Sequence, residues 1–231
     1  MAKPGICRCG VPLTMVLFAV ALLPLLTIGA VRVSADETTI TLTAPNSGLS
    51  GFTGPYATVT IDLTSSTTAN VTFTSLTNGG FSYLLGATGA ADLNVNGTYS
   101  LGTVSETNSF SGFMSSFKDN KPGQVDGFGN FNLSLDNNDG FTDSATQITF
   151  TLTDTSGTWS SAASVLSPNS GGNEAAVHAF ACATPCTPSE PAAGSGFAST
   201  PEPTSMLLFG TGMVVLGCVL RRRKSGNPVA S

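Results

Sequence analysis

Between residues 58 and 64 every second side chain is apolar: Val59, Ile61 and Leu63 alternate with Thr58, Thr60, Asp62 and Thr64. Successive strand side chains point to opposite faces, so this stretch buries one face of a sheet and wets the other. The same pattern recurs with Ile40 and Leu42 in 39–43, Val71 and Phe73 in 70–74, Phe131, Leu133 and Leu135 in 130–136, and Ile148, Phe150 and Leu152 in 147–153. Weaker runs lie at 82–85, 94–101 and 176–181, and clusters such as Asn78-Gly79-Gly80, Asn96-Gly97 and Asn137-Asn138-Asp139-Gly140 supply turns between them. One wet face per strand means antiparallel pairing. The spacing predicts an all-β fold, an antiparallel sandwich or jelly roll over residues 36–190, with at most one or two helical turns at 160–166. The likeness of 58–63 to 147–152 is one of composition, without the fixed period of a repeat.

Composition narrows the function classes. Only 10% of the 231 residues are charged, and 31 Thr with 27 Ser supply most of the polar groups. Across 36–200, Lys118 and Lys121 stand against 13 acids, a net charge of −11. Nucleic-acid binding depends on clustered bases that displace counterions, so it is excluded.

The two ends differ from the body. Lys3 and Arg8 precede an apolar run from 11 to 31, and Val33 and Ala35 occupy the −3 and −1 positions ahead of Asp36. This is the layout of a secretory signal peptide over 1–35, cleaved after Ala35; Pro12 and Pro24 argue against a retained helix. Of the five cysteines only Cys182 and Cys186 lie in the exported body. They are expected to form a disulfide, since redox pairs have two intervening residues and no second Cys or His pair completes a zinc site. A Gly- and Ala-rich stretch, 191–200, reads as a flexible linker. Beyond it come Pro201-Glu202-Pro203, an apolar segment at 205–220 expected to cross the membrane as a helix, and Arg221, Arg222, Arg223 and Lys224, which the positive-inside rule keeps in the cytoplasm.

Pro-Glu-Pro, an apolar segment containing Gly210, Gly212 and Gly217, and a terminal Arg cluster together resemble the PEP-CTERM sorting signal of Gram-negative bacteria. The resemblance covers 201–231. It implies export through the secretion translocon, a precursor anchored in the inner membrane, and recognition by the membrane enzyme exosortase near Pro-Glu-Pro. Delivery to the cell surface or extracellular matrix would follow, with a link to exopolysaccharide and biofilm. A fainter likeness to bodies that precede this signal runs through 147–152, Ser156-Gly157-Thr158-Trp159 and Ala175-Ala176-Val177-His178. It carries no activity.

Catalytic motifs are absent from the sequence. His178 is the lone histidine, and no Gly-x-Ser-x-Gly elbow, phosphate-binding loop or His-Glu-x-x-His pattern occurs. Asp136, Asn138, Asp139 and Asp143 crowd oxygen donors around Gly140, but the calcium-loop register that makes Gly140 sixth puts Leu135 first and Thr146 twelfth, where ligands are required. A turn is the reading favoured there. Asn70, Asn96 and Asn132 stand in Asn-x-Ser/Thr sequences. Three classes follow. The first is a noncatalytic surface or matrix protein, without cofactor. The second is a carbohydrate-binding module stacking sugars on Trp159, Tyr56, Tyr83 and Tyr99. The third is a secreted hydrolase using two convergent acids or His178.

Overall fold

The computed structural model describes residues 36–137 and 140–201. Among them, strands in two antiparallel sheets account for nearly all regular structure, with 3-10 turns at Phe141–Asp143 and Ala162–Val165. The first sheet contains β1 (Asp36–Leu42), β3 (Ala57–Ser65), β4 (Thr68–Ser75), β8 (Tyr99–Leu101), β9 (Ser105–Thr107) and β12 (Gln147–Asp154). Its order is β1-β3-β4-β12-β8, with β9 also on β12. The second contains β2 (Ala44–Pro45), β5 (Thr77–Asn78), β6 (Phe81–Leu85), β7 (Ala91–Leu93), β10 (Phe117–Val125), β11 (Gly129–Asn137), β13 (Ala175–Ala183) and β14 (Gly194–Ser199). Its order is β10-β11-β7-β13-β14-β2, and β6, carrying β5, also pairs with β13.

Period-two alternation explains the core. Val59, Ile61, Val71, Phe73, Ile148 and Leu152 of the first sheet are fully buried in one cluster with Leu85, Ala91, Leu93, Leu133, Leu135, Val177 and Ala179 of the second. Phe73 and Phe150 stack at 6.2 Å within it. A smaller cluster, Val125, Phe131 and Ala176 with Phe128 and Phe197 against it, lies outside this core. Phe131 reaches it because the β10–β11 register slips between Lys121/Ser134 and Gly123/Phe131, a bulge that turns Phe131 away from the side taken by Leu133.

The five alternating stretches fall within strands except for Thr43, which follows β1, and the Cys182–Cys186 disulfide is present. Three expectations change. Of the run at 94–101 only 99–101 is a strand, β8; ahead of it Val95 makes an isolated bridge with Leu166, and the Asn94 and Asn96 side chains bond to Ser167 and Ser164 in the segment before β13. β10 was not expected, since Phe-Lys-Asp-Asn-Lys-Pro-Gly-Gln-Val has no alternation. The linker expected at 191–200 is a strand through most of its length: β14 pairs with β13 from Ala176/Ser199 to Ala181/Gly194 and with β2 on its other edge. Its glycines allow close approach. A Cβ on Gly196 would stand 2.5 Å from the Asn46 side-chain oxygen and 2.9 Å from Gly48 backbone. The body therefore extends to Thr200.

Phe73→Ala should lower unfolding free energy by about 3–5 kcal/mol, whereas Thr72→Ala, on the outer face of the same strand, should change it by about 0.5 kcal/mol or less. Urea unfolding midpoints of the purified protein check both values.

Candidate functional site

The sequence singles out the carboxyl junction, and the fold holds it tightly up to one residue. Phe197 N–H donates to the Asn46 side-chain oxygen at 3.0 Å, and Asn46 N–H donates to the Phe197 carbonyl at 2.9 Å. The Ser199 hydroxyl lies 2.8 Å from both Asn173 Oδ1 and the Ala175 carbonyl, while the Ser199 carbonyl accepts from Thr43 N–H at 3.1 Å. Thr200 N–H donates to the Ala175 carbonyl at 3.2 Å, and its hydroxyl oxygen accepts from Glu174 N–H at 3.3 Å. Ser199 and Thr200 are buried; Pro201 is exposed. Proline has no N–H to donate, so the ladder stops where the Pro-Glu-Pro sequence starts.

The rings expected to stack sugars are structural. Trp159, Tyr56 and Tyr83 are buried in the main cluster and Tyr99 packs against it half-buried. Each polar tip is bound inside: Trp159 Nε1 to the Asn96 carbonyl (2.9 Å), Tyr56 OH to that of Phe52 (2.8 Å), Tyr83 OH to that of Thr53 (2.6 Å), and Tyr99 OH to that of Asn132 (2.8 Å). Buried rings offer no stacking face, so these residues do not form a sugar platform.

His178 is likewise committed to packing. Its Nδ1 lies 2.8 Å from the Gly86 carbonyl, to which it must donate, and its ring sits 4.9 Å from Phe180 and 4.8 Å from Phe197. Burial lowers its pKa, and the Gly86 hydrogen bond partly restores it. Asn132 exchanges two hydrogen bonds with Val95 backbone, each 2.8 Å, which occupies its amide; Asn70 and Asn96 are exposed.

The outward face of the first sheet is a hydroxyl array. Thr39, Thr60, Thr72, Thr149 and Ser105 stand in register across five strands, as do Thr41, Thr58, Thr74, Gln147 and Thr107 in the next row. Two grooves open on this face. One, of about 480 Å³, is lined by Thr74, Thr77, Thr107, Asn108, Phe110 and Gln147 among others. The other, of about 220 Å³, includes Asn70, Thr72, Thr103, Thr149 and Thr151. Neither lining contains an acid or a histidine. Thr77 pairs with Ser82, which pairs with Cys182, at the end of β13 opposite Ala176 and its partner Ser199.

Of the oxygen donors around Gly140, Asn138 and Asp139 lie outside the described residues. Asp136 is buried, accepts from Gly89 N–H at 2.9 Å and pairs with Lys121 Nζ at 3.1 Å; Asp143 lies in the 3-10 turn, its carbonyl bound by Asn137. Both carboxylate oxygens of Asp136 are thus engaged, one by Gly89 and the other by Lys121. Among the described residues, no group of three His, Cys, Asp or Glu could hold a metal, and no helix is long and apolar enough to cross a membrane.

Residues 199–224 match the family model of the PEP-CTERM protein-sorting motif. The chain carries this motif. No curated protein and no solved structure matches the chain. A PEP-CTERM motif indicates export, a membrane-anchored precursor and sorting by exosortase toward the cell surface. The match starts at Ser199, the last residue of β14, so motif and body meet without an intervening spacer. The expected signal peptide with Val33 and Ala35, Glu202 and Pro203 of the motif, the apolar segment 205–220, and Arg221, Arg222 and Arg223 lie outside the described residues.

Sequence reading missed the most perturbed carboxyl in this PEP-CTERM protein. Asp92 sits between Ala91 and Leu93, which face the core, so it points to the opposite side of the second sheet, opposite Ser134 and Ala176. It is fully buried, and neither oxygen has a hydrogen-bond partner of good geometry. Burial pushes its pKa up to about 8; the adjacent Ser134 hydroxyl pulls it down and the negative Asp136 pushes it further up. Glu106, also without partners, is raised by burial to about 7, but it lies on β9 of the other sheet. The two acids are thus not paired across a cleft, as glycoside hydrolysis requires.

A carboxyl whose folded pKa exceeds its unfolded value binds its proton more tightly when folded. Its stabilising effect is complete below about pH 4 and is lost as the pH rises through about 8. Asp92→Asn removes this titration. The variant should match or fall slightly below wild type in Tm at pH 5 and exceed it at pH 9, measured by thermal unfolding at both values.

Proposed function

We propose that this chain is an exported protein whose tail is recognised and cut by exosortase, and whose β-sheet body then serves a noncatalytic, structural or adhesive role. In this reading the body joins the surface or extracellular matrix of a Gram-negative cell, beside exopolysaccharide. The observation that carries it is the sorting motif at 199–224, placed directly behind the last buried strand. A signal peptide at 1–35 admits the chain to the translocon, and the segment 205–220 with Arg221, Arg222 and Arg223 holds the precursor in the membrane.

Three features support a noncatalytic body. His178 is engaged by the Gly86 carbonyl and two phenyl rings, Asp92 and Glu106 belong to different sheets, and the two grooves are lined by neutral side chains. The hydroxyl and amide groups of the threonine face suit hydrogen bonding to neutral polysaccharide, and the body's net charge of −11 disfavours polyanions.

Replacing Pro201, Glu202 and Pro203 together with alanine should trap full-length precursor in the inner membrane and abolish the released form in a host that has exosortase. Fractionation and immunoblotting measure this, and equal processing of wild type and variant rejects exosortase recognition.

A further inference from the structure

We propose that the body closes a covalent clamp on itself: Lys121 Nζ and the Asp136 carboxyl condense to an amide that ties β10 to β11, and Asp92 carries the protons. The clamp concerns the body alone and does not depend on how the tail is sorted.

The reacting groups meet on the face of the second sheet turned away from the main core. Register sets Lys121 of β10 opposite Ser134 of β11, and Ser134 opposite Asp92 of β7, so the three share one row. Asp136 lies two residues along β11 and therefore on the same face. Lys121 Nζ stands 3.1 Å from Asp136 Oδ2, and Gly89 N–H donates to the other oxygen, Oδ1, at 2.9 Å. Gly89 is itself fixed, because its carbonyl accepts from His178 N–H at 2.6 Å, and its φ of +75° suits a residue without a side chain. A Cβ there would stand 2.9 Å from Asp92 Oδ2; one on Gly123 of β10 would stand 2.7 Å from Ser134 Oγ and 3.9 Å from Asp92 Oδ1. The two glycines let backbone close over the Asp92 carboxyl, which is fully buried with neither oxygen in a hydrogen bond of good geometry.

An ion pair needs only Lys121 and Asp136. A second carboxyl buried beside them without good partners costs folding free energy, and amide formation gives it a use. An ammonium and a carboxylate yield an amide and one water, so the step requires no activating reagent. A proton first passes from Lys121 Nζ to Asp136 Oδ2, which leaves a neutral amine beside a neutral acid. The Nζ lone pair then attacks Asp136 Cγ, and the charge gathering on Oδ1 meets the Gly89 N–H already aimed at it. Asp92, kept protonated by burial, gives its proton to the Oδ2 hydroxyl as the Cγ–Oδ2 bond breaks and takes one back from Nζ, ending as it began. The Lys121 side chain is more than half exposed, which leaves the water a way out, whereas Asp136 is buried, which keeps water from returning to the new bond. The product pins the edge strand β10 to its neighbour.

Peptide mapping tests this on the full-length chain, solubilised in detergent, reduced and digested with chymotrypsin. Tandem mass spectrometry should find a branched peptide that joins Lys121 to Asp136 and is one water lighter than its two arms. Unjoined arms in the wild-type digest overturn the clamp, whatever any variant does. Lys121→Arg keeps the ion pair and should give only unjoined arms. Asp92→Asn keeps the size of the side chain but cannot shuttle protons, and it too should give unjoined arms; a branched peptide at wild-type yield overturns the role of Asp92. The Tm comparison of Asp92→Asn at pH 5 and pH 9 then belongs to the open ion pair and is made in a Lys121→Arg background, where a cooperative transition also shows that the variant folds. No digest needs exosortase, so failure here leaves the sorting reading standing.

Discussion

The contact between a one-sided sheet and the apolar face of a second sheet holds this molecule together. The strands of the first sheet carry Val, Ile, Leu and Phe at alternate positions and Thr at the rest, so its apolar face must meet a second apolar surface. The second sheet supplies that surface from small side chains, including Ala91, Ala175, Val177, Ala179 and Ala181. Set beside larger residues such as Leu85, Leu93, Leu133 and Leu135 of the same sheet, they let the layers interdigitate, and the rings of Tyr56 and Tyr83, 4.8 Å apart, pack in the same core. Tyr56 and Tyr83 can be buried only because backbone carbonyls receive their hydroxyls.

That division explains which parts were legible in the sequence. β1, β3, β4 and β12 each have one wet face, and alternation is the mark a wet face leaves; β11 alternates as well, although Ser134 and Asp136 on its other face are buried. β14 has none, because its backbone packs against Asn46 and Gly48 and its composition is set by close approach. Gly194-Ser195-Gly196 is chemically the same whether it is a tether or a tightly packed strand, and only its neighbours decide between them. β10 escaped for a different reason. It is an edge strand whose Lys118, Lys121 and Pro122, together with two register slips, discourage further pairing, and such protection erases the alternating pattern.

The candidate site divided in the same way. The sorting motif is a linear signal and could be read directly. Roles for Trp159, Tyr56, Tyr83 and Tyr99 could not, because exposure decides whether a ring binds sugar or fills a core. Asp92 gave no sign either: Ala-Asp-Leu reads as ordinary turn sequence until its flanking residues are seen to be fully buried and its partners prove to be Ser134 and Ala176. A carboxyl kept neutral by burial is invisible in a charge count. The body's net charge of −11 therefore overstates the negative charge it carries near neutral pH.

The two ends of the body obey one rule. Asp36 opens β1, pairs with Leu63, and accepts the Ala162 N–H on its carboxylate at 2.7 Å, so the chain is ordered from the first residue after the expected signal cleavage at Ala35. At the other end Thr200 is the last bound residue before Pro201. The sorting motif begins at this boundary, at Ser199. β14 pairs with β13 on one edge and β2 on the other, so the second sheet closes only when nearly all of the body has been delivered. The strand that completes the sheet is thus the one joined to the sorting motif.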